Sequence, residues 1–279
     1  MSATDKTRQA DLIRERFTRT AQVFGDYAVS YRVQFAEALM RLVSPGPGDR
    51  VTDLACGPGT LALRFARNVR WVCGVDLTPA MLARASQAAS DEGLANLTWA
   101  NADAQSLPFA DGSLDIAVTS YSLHHIPDPA RTIREMARVV RRGGRVGIID
   151  IVVPEDARAA EAANRIEIAR DPSHTRSLPK SDFEKLTAAA GLRWLGHETG
   201  ANPRSFDHWL HVAGWHRGDP VYEETRKLME ATMSDDLAGF HPRFAEPDPA
   251  QPQASGGMAG HRPDIQMANT AIFLGAEKI

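Results

Sequence analysis

The segment Asp53-Leu54-Ala55-Cys56-Gly57-Pro58-Gly59 places a carboxylate at the end of an apolar run, directly before a glycine-rich bend. Arg50-Val51-Thr52 leads into it, and Leu61, Leu63, Phe65 and Ala66 can line a helix face after it. A strand, a tight turn and a helix start in this order form the crevice where an open α/β sheet takes a nucleotide-like ligand. Gly57 and Gly59 have no Cβ, so the backbone can bend sharply and a ligand can come close. Gly57-x-Gly59-x-x-Ala62 also satisfies the fingerprint of a dinucleotide turn, with Asp76 at about the twenty-residue spacing of a ribose-binding acid.

Asp53 separates the possible ligands. A carboxylate beside the turn repels a pyrophosphate but suits a ligand carrying an ammonium and a sulfonium, and S-adenosylmethionine carries both. A strand-end aspartate that only caps the turn is the plain alternative. Further along, His124-His125 follows the apolar run Leu114–Ser120. An imidazole titrates near neutral pH and can act as a base, His125 first and His124 next. The pair could equally do no more than hydrogen-bond its loop to the sheet.

The surrounding periodicity supplies the elements that must hold these groups. Thr7 to Val23 reads as an amphipathic helix through Leu12, Ile13, Phe17, Ala21 and Phe24, and a second helix runs from about Ser30 to Val43. Ser44-Pro45-Gly46-Pro47-Gly48 breaks it. Strand and helix then alternate: Val51–Ala55, Thr60–Asn68, Trp71–Asp76, Pro79–Asp91, Leu97–Asn101, Leu114–Ser120, Pro129–Arg141 and Val146–Val153. That alternation implies a parallel sheet covered on both faces. Arg141-Arg142-Gly143-Gly144 has the composition of a helix stop. A helix spans Asp156 to Ala169. A polar connection 171–177 follows, and Ser181-x-x-Glu184 reads as a capping box for a helix to Ala190. Leu192–Glu198 should be a strand, Phe206–Met233 mostly helix, and Ile265–Ala276 a last strand, while His241 to Pro263 reads as a loop.

The 279 residues allow one large α/β domain with a lid, or two small domains at most. A net charge of −3 with no basic block argues against a nucleic-acid surface. Two cysteines, Cys56 and Cys73, do not make a disulfide framework and point to a reduced, cytoplasmic setting. No apolar run is long enough to span a bilayer, and the polar start is unlike a secretory signal. His208, Trp209, His211, Trp215 and His216 lack a completing carboxylate or cysteine, so packing is expected and no metal.

From about Phe17 to Leu192 the chain resembles the class I S-adenosylmethionine-dependent methyltransferases, in the branch that holds quinone-biosynthesis and small-molecule enzymes. The resemblance rests on ordered elements: Asp53-x-x-Cys56-Gly57-x-Gly59, Gly74-Val75-Asp76-Leu77-Thr78-Pro79-Ala80-Met81-Leu82, and the run from Ala102-Asp103-Ala104 to Ser113-Leu114-Asp115. Leu123-His124-His125-Ile126-x-Asp128-Pro129 and Glu135-Met136-x-Arg138-Val139-x-Arg141-x-Gly143-Gly144 complete it. It implies an α/β, Rossmann-like doubly wound sheet of seven strands, the last antiparallel, with a helical N-terminal lid. The expected division is a lid over 1–44 and a catalytic domain over 45–279, with cap segments 154–190 and 203–263.

The resemblance implies S-adenosylmethionine as cofactor and S-adenosylhomocysteine as its product. On that basis Asp53 faces the methionine ammonium, and Ala55 with the Gly57–Gly59 backbone borders the methionyl group and ribose. Asp76 accepts the ribose hydroxyls, while Leu77 and Met81 pack on adenine. Asp103 and the Ala104 N–H take its polar edge, and Ser120 lies at the sheet's carboxyl edge. Methyl transfer leaves a neutral group, so alignment and exclusion of water matter most, with His125 as base where the acceptor is a hydroxyl or acidic carbon. The acceptor is expected to be a small phenolic or quinol-like molecule methylated on O or C.

Tyr27, Tyr31 and Tyr121 are candidate substrate contacts, as are His174 and Arg176, which could fix an anionic or phenolic group. For Tyr27 and Tyr31 packing is the alternative, and for the polar loop simple solvation. A nicotinamide oxidoreductase and a non-enzymatic S-adenosylmethionine binder remain rival readings. Ser120-Tyr121-Ser122-Leu123 lacks the Asn/Asp-Pro-Pro-aromatic element that would mark an RNA or protein methyltransferase. The oligomeric state is open, a homodimer among the choices.

Overall fold

A computed structural model describes residues 3–21, 33–245 and 263–279. Tyr27, Tyr31 and the Pro/Gly-rich stretch around Gly256 lie outside the described residues. The apolar runs become β1 (Arg50–Leu54), β2 (Trp71–Asp76), β3 (Leu97–Asn101), β4 (Leu114–Ser120) and β5 (Val140–Val153), all parallel. They are joined by α3 (Thr60–Ala66), α4 (Pro79–Asp91) and α5 (Pro129–Val139). Before them stand α1 (Ala3–Arg19) and α2 (Val33–Val43). After them come α6 (Ala157–Arg170), the two-residue β6 (Leu178–Pro179) and α7 (Lys180–Ala189). β7 (Leu192–Ser205), α8 (Phe206–Val212), α9 (Pro220–Glu230), the two-residue β8 (Arg243–Phe244) and β9 (Ile265–Lys278) complete the chain.

The main path of the sheet is β3-β2-β1-β4-β5-β9-β7, with β6 and β8 attached to β5 and β9. β9 runs antiparallel to both β5 and β7, as expected for the last strand. Strand order reverses between β1 and β4, which opens a crevice at their carboxyl ends.

Side chains alternate between two cores because successive strand residues face opposite ways. Leu54, Val75, Ala117 and Ile148 pack with Ile133 and Met136 of α5 and Phe183 of α7. Val51, Val72, Ile116 and Val118 pack with Leu39 of α2 and Leu61 and Phe65 of α3. A third cluster joins α6, α8 and α9 through Ile166, Phe206, Trp209 and Met229. Asp128 starts α5 by accepting the Arg131 N–H at 2.9 Å, and Asp156 starts α6 by accepting from Arg158 and Ala159.

Four local expectations are corrected. The helix expected to reach Arg141 stops at Val139, because Val140 already pairs with Leu114 and Arg141 donates to Asp115 at 2.7 Å. The Ser181–Glu184 capping box does not form: Pro179 occupies the N-cap, and the Ser181 N–H donates to Glu155. β7 runs on to Ser205 because β9 offers a partner along its whole length, and its Pro203 is tolerated on an edge strand. The long helix after Phe206 breaks into α8 and α9, with Gly214 and Gly218 at φ 88° and 93° between them.

Candidate functional site

The carboxyl ends of β1, β2 and β4 meet around a cavity of about 180 Å³. Ala55 and Tyr121, the residues directly after β1 and β4, both adopt left-handed backbone, with φ 50° and 51°. Non-glycine residues pay a steric penalty there, and such strain concentrates at functional sites. Neighbouring strands fix both turns, as Tyr121 N–H donates to the Ile149 carbonyl at 2.7 Å and Cys56 N–H to Val75 at 3.0 Å.

Asp76 organises the floor. One carboxylate oxygen accepts the Gly57 N–H and the other the Thr78 N–H, each at 2.8 Å. Burial pushes its pKa up in spite of those two donors. Each oxygen keeps lone-pair capacity for a hydroxyl. Leu77 and Met81 give the cavity an apolar wall, with Asp103 and Ala104 at the edge and Ser120 beside Tyr121. The exposed Asp103 carboxylate accepts from the Gln105 backbone N–H at 2.8 Å and from its side chain. Ala55 and Gly57 also line this space.

Two expected residues do other work. Asp53 is 1% exposed and is not on the cavity wall; its Oδ2 accepts the Ala62 N–H at 3.0 Å, in the first turn of α3. A helix N-terminus has spare N–H groups and a positive end, so a strand-end carboxylate turns toward it. Gly59, with φ 83°, faces away from the cavity. A Cβ there would lie 2.9 Å from Trp99 and 3.0 Å from Ala85, so the bare position lets α3 and α4 approach. Cys56, not among the expected site residues, lines the cavity; burial first, then the Asp53 and Asp76 carboxylates, keep its thiol protonated.

The His-His pair forms a single 3-10 turn, Leu123–His125. Asp150 on β5 accepts the Leu123 N–H at 2.7 Å and contacts His124 Nδ1 at 2.5 Å. His124 is thereby turned away from this cavity. His125 lines it, and its Nδ1 lies 3.1 Å from both the carbonyl and the hydroxyl oxygen of Ser173. A carbonyl only accepts, so Nδ1 carries the hydrogen in the neutral ring and Nε2 keeps the lone pair. Burial, reinforced by His124 and His174 and opposed by Asp171, holds the His125 pKa well below its ordinary value. The ring is neutral near pH 7, the form a base requires.

The connection 171–177 is not solvated throughout. Thr175 donates its N–H and its hydroxyl to the His124 carbonyl, each at 2.8 Å, which pins the segment to the 3-10 turn. His174 therefore points inward, 4% exposed, with Nε2 3.1 Å from Asn164 Oδ1, and does not line the cavity. Burial, with His124 and Arg170, lowers its pKa to about 2. Arg176 points outward to Asp182 at 3.5 Å. Neither is placed to touch a ligand in the cavity.

Helix α1 roofs the site through Ala10, Ile13 and Phe17, the last edge-on to His125 at 5.2 Å between ring centres. Helical periodicity marked Ile13 and Phe17 as apolar but could not say what they cover. Arg16, one position earlier, forms a buried ion pair with Asp171 that spacing does not foretell. Asp171 also accepts from the Ser173 N–H and hydroxyl, which extends the chain of contacts to His125.

A doubly wound sheet with a glycine-bend cavity at its point of strand reversal defines a Rossmann-like α/β domain, with its cavity where such sheets bind their ligands. Residues 52–148 match the family described as a methyltransferase domain. The uncharacterised methyltransferase YcgJ of Bacillus subtilis is 31% identical over 198 residues, 71% of this chain and 78% of that protein. The YcgJ crystal structure superposes with a TM-score of 0.76 at 26% identity, covering 88% of this chain and 98% of that one. The ubiquinone/menaquinone biosynthesis C-methyltransferase UbiE of Bdellovibrio bacteriovorus is 32% identical over 146 residues, 50% of this chain and 62% of that protein. Geranyl diphosphate C-methyltransferase of Streptomyces coelicolor A3(2), crystallised with Mg²⁺, geranyl diphosphate and S-adenosyl-L-homocysteine, shares the fold. Its TM-score is 0.58 at 16% identity, over 88% of this chain and 79% of that one. The chain belongs to the class I S-adenosylmethionine-dependent methyltransferases. Among the described residues no helix is long and apolar enough to cross a membrane.

Proposed function

We propose that the cavity at the carboxyl ends of β1, β2 and β4 holds S-adenosylmethionine and that its methyl passes to a small organic acceptor, on O or C of a phenolic or quinol-like molecule. The residues present fit that donor: Asp76 offers a carboxylate to a ribose diol beside the apolar surface of Leu77 and Met81, and Asp103 with Ala104 takes the adenine edge. When bound, S-adenosylmethionine supplies an electrophilic methyl carbon on a sulfonium whose departure leaves a neutral sulfide.

The chain's own residues align, dry and deprotonate. Phe17 and Ile13 close the cavity against water, which favours a reaction that depends on orientation. His125 receives the acceptor's proton on Nε2 as the new bond to carbon forms, while the Ser173 carbonyl holds the Nδ1 hydrogen. The carrying observation is that His125, neutral and buried, lies on the wall shared by the donor cavity and a second, smaller one. Similarity to UbiE supports a quinol-like acceptor. The division expected from the sequence, a lid over 1–44 on a domain over 45–279 with cap segments 154–190 and 203–263, belongs to this reading, with 22–32 and 246–262 outside the described residues.

Calorimetry with S-adenosylhomocysteine tests the donor assignment, and mass spectrometry of phenolic and quinol acceptors incubated with S-adenosylmethionine tests the transfer. Binding of the homocysteine product with methylated phenol is the expected result. Uptake of a nicotinamide nucleotide in its place would overturn the reading.

A further inference from the structure

Phe17, Tyr121 and His125 separate the donor cavity from a smaller one of about 60 Å³. Its opposite wall comes from β7 and α8, in the part of the chain where no motif was legible. Asn202 and Arg204 are two apart on β7 and share a face, and Trp209 follows on α8.

These three side chains carry buried polar atoms with no hydrogen-bond partner among the described residues: Asn202 Oδ1, Arg204 Nε and Trp209 Nε1. Asn202 and Trp209 are each 2% exposed. Buried polar groups in folded proteins are nearly always satisfied, so two donors and one acceptor without partners, on three residues that all line one small cavity, are groups that a ligand would complete after a small turn of the side chains. The charges agree. Arg16 is neutralised by Asp171 and Arg170 by Glu167, whereas Arg204 reaches only the neutral Asn269 Oδ1, at 3.2 Å, with no carboxylate paired to it among the described residues.

We propose that this cavity is an anion pocket for the acceptor. It holds the carboxylate of a hydroxy-acid on Arg204 and the Trp209 N–H, with a neighbouring hydroxyl donating to Asn202. One uncompensated guanidinium matches one negative charge, and the amide oxygen requires a hydrogen beside it; a fully ionised phosphate would bring two charges and no donor. The assignment rests on the methyl-transfer reading, since a pocket behind His125 is an acceptor site only if the donor lies in front. It also moves the anion contact sought at Arg176 to Arg204.

Titration calorimetry with salicylate and its neutral amide, salicylamide, tests this on the intact protein with and without S-adenosylhomocysteine. Salicylate is expected to bind the wild-type protein about tenfold more tightly than salicylamide, and Arg204→Gln to erase that preference while leaving S-adenosylhomocysteine affinity intact. Trp209→Phe keeps the packing and removes only the N–H. It should weaken salicylate severalfold even if Arg204→Gln proves too unstable to purify. Binding of S-adenosylhomocysteine with no preference for salicylate, or a preference that survives both substitutions, would overturn the anion pocket and leave methyl transfer standing. A preference without any S-adenosylhomocysteine binding would overturn methyl transfer, and with it the pocket's role as an acceptor site.

Discussion

Arg16 Nε donates to Asp171 Oδ2 at 2.7 Å, a buried ion pair between the roofing helix and the segment that orients His125. Burial alone would raise the Asp171 pKa, but the Arg16 and Arg170 guanidinium groups and the Ser173 hydrogen bond outweigh it and hold the carboxylate ionised. Breaking such a pair from one side strands a buried charge. Arg16→Met is expected to cost about 3–5 kcal/mol in urea unfolding. Arg16→Met with Asp171→Leu should be less destabilised than the sum of the two single variants. Strict additivity would show that the pair does not couple the roof to the body.

Stability should fall in mild acid. His125 and His174 are held neutral in the folded protein, with pKa values below 6.5, whereas in the unfolded chain both titrate near 6.5. Below that pH the unfolded state binds more protons, so stability present above pH 6.5 is lost as pH falls toward the folded values. With both groups contributing, the slope reaches up to about 2.7 kcal/mol per pH unit. The depressed Asp171 adds a further loss below about pH 4, where the unfolded carboxylate protonates. Urea unfolding at pH 7.5, 6.5 and 5.5 (roughly spanning the histidine window) reads the first effect, and a flat profile would contradict it.

The same depressed pKa shapes the rate profile. A base that is already neutral well below pH 6.5 should give no histidine inflection in kcat/KM near that value. His125→Ala should lower kcat by about 10²–10⁴ with S-adenosylhomocysteine affinity little changed. Full activity in that variant would remove His125 from the chemistry.

Asp76 ties the bend after β1 to the end of β2 through Gly57 and Thr78. Asp76→Ala would remove both of those bonds and the carboxylate proposed to hold the ribose. Affinity for S-adenosylhomocysteine should fall by at least about tenfold, two hydrogen bonds to a charged group being worth more than the corresponding 1.4 kcal/mol. Undiminished affinity by calorimetry would place the ribose elsewhere.

Gly59→Ala separates packing from binding. The added methyl meets Trp99 and Ala85 at about van der Waals overlap, in a left-handed conformation that alanine resists. Unfolding should show a loss of about 1–3 kcal/mol, with S-adenosylhomocysteine affinity following stability alone. A selective loss of affinity at unchanged stability would return Gly59 to the cavity wall.

Much of this protein is local chemistry. The bend at Gly57, the acid at Asp76 and the His-His turn lie within or beside strands whose limits are set by short apolar runs, so residue type and spacing determined them; the Leu77–Met81 wall came from the family likeness. The parallel sheet followed from the same alternation, and its antiparallel last strand from the family likeness alone. Only the folded chain decided where long-range partners pull each side chain. Asp53 turns to the Ala62 N–H because a helix start lies behind it. His174 goes in and Arg176 out because Thr175 is fixed to the His124 carbonyl. Arg16 meets Asp171, and Arg204 meets the second cavity, across separations that no periodicity encodes. Spacing along a chain sets which residues share a face; which face meets which depends on packing between elements remote in sequence.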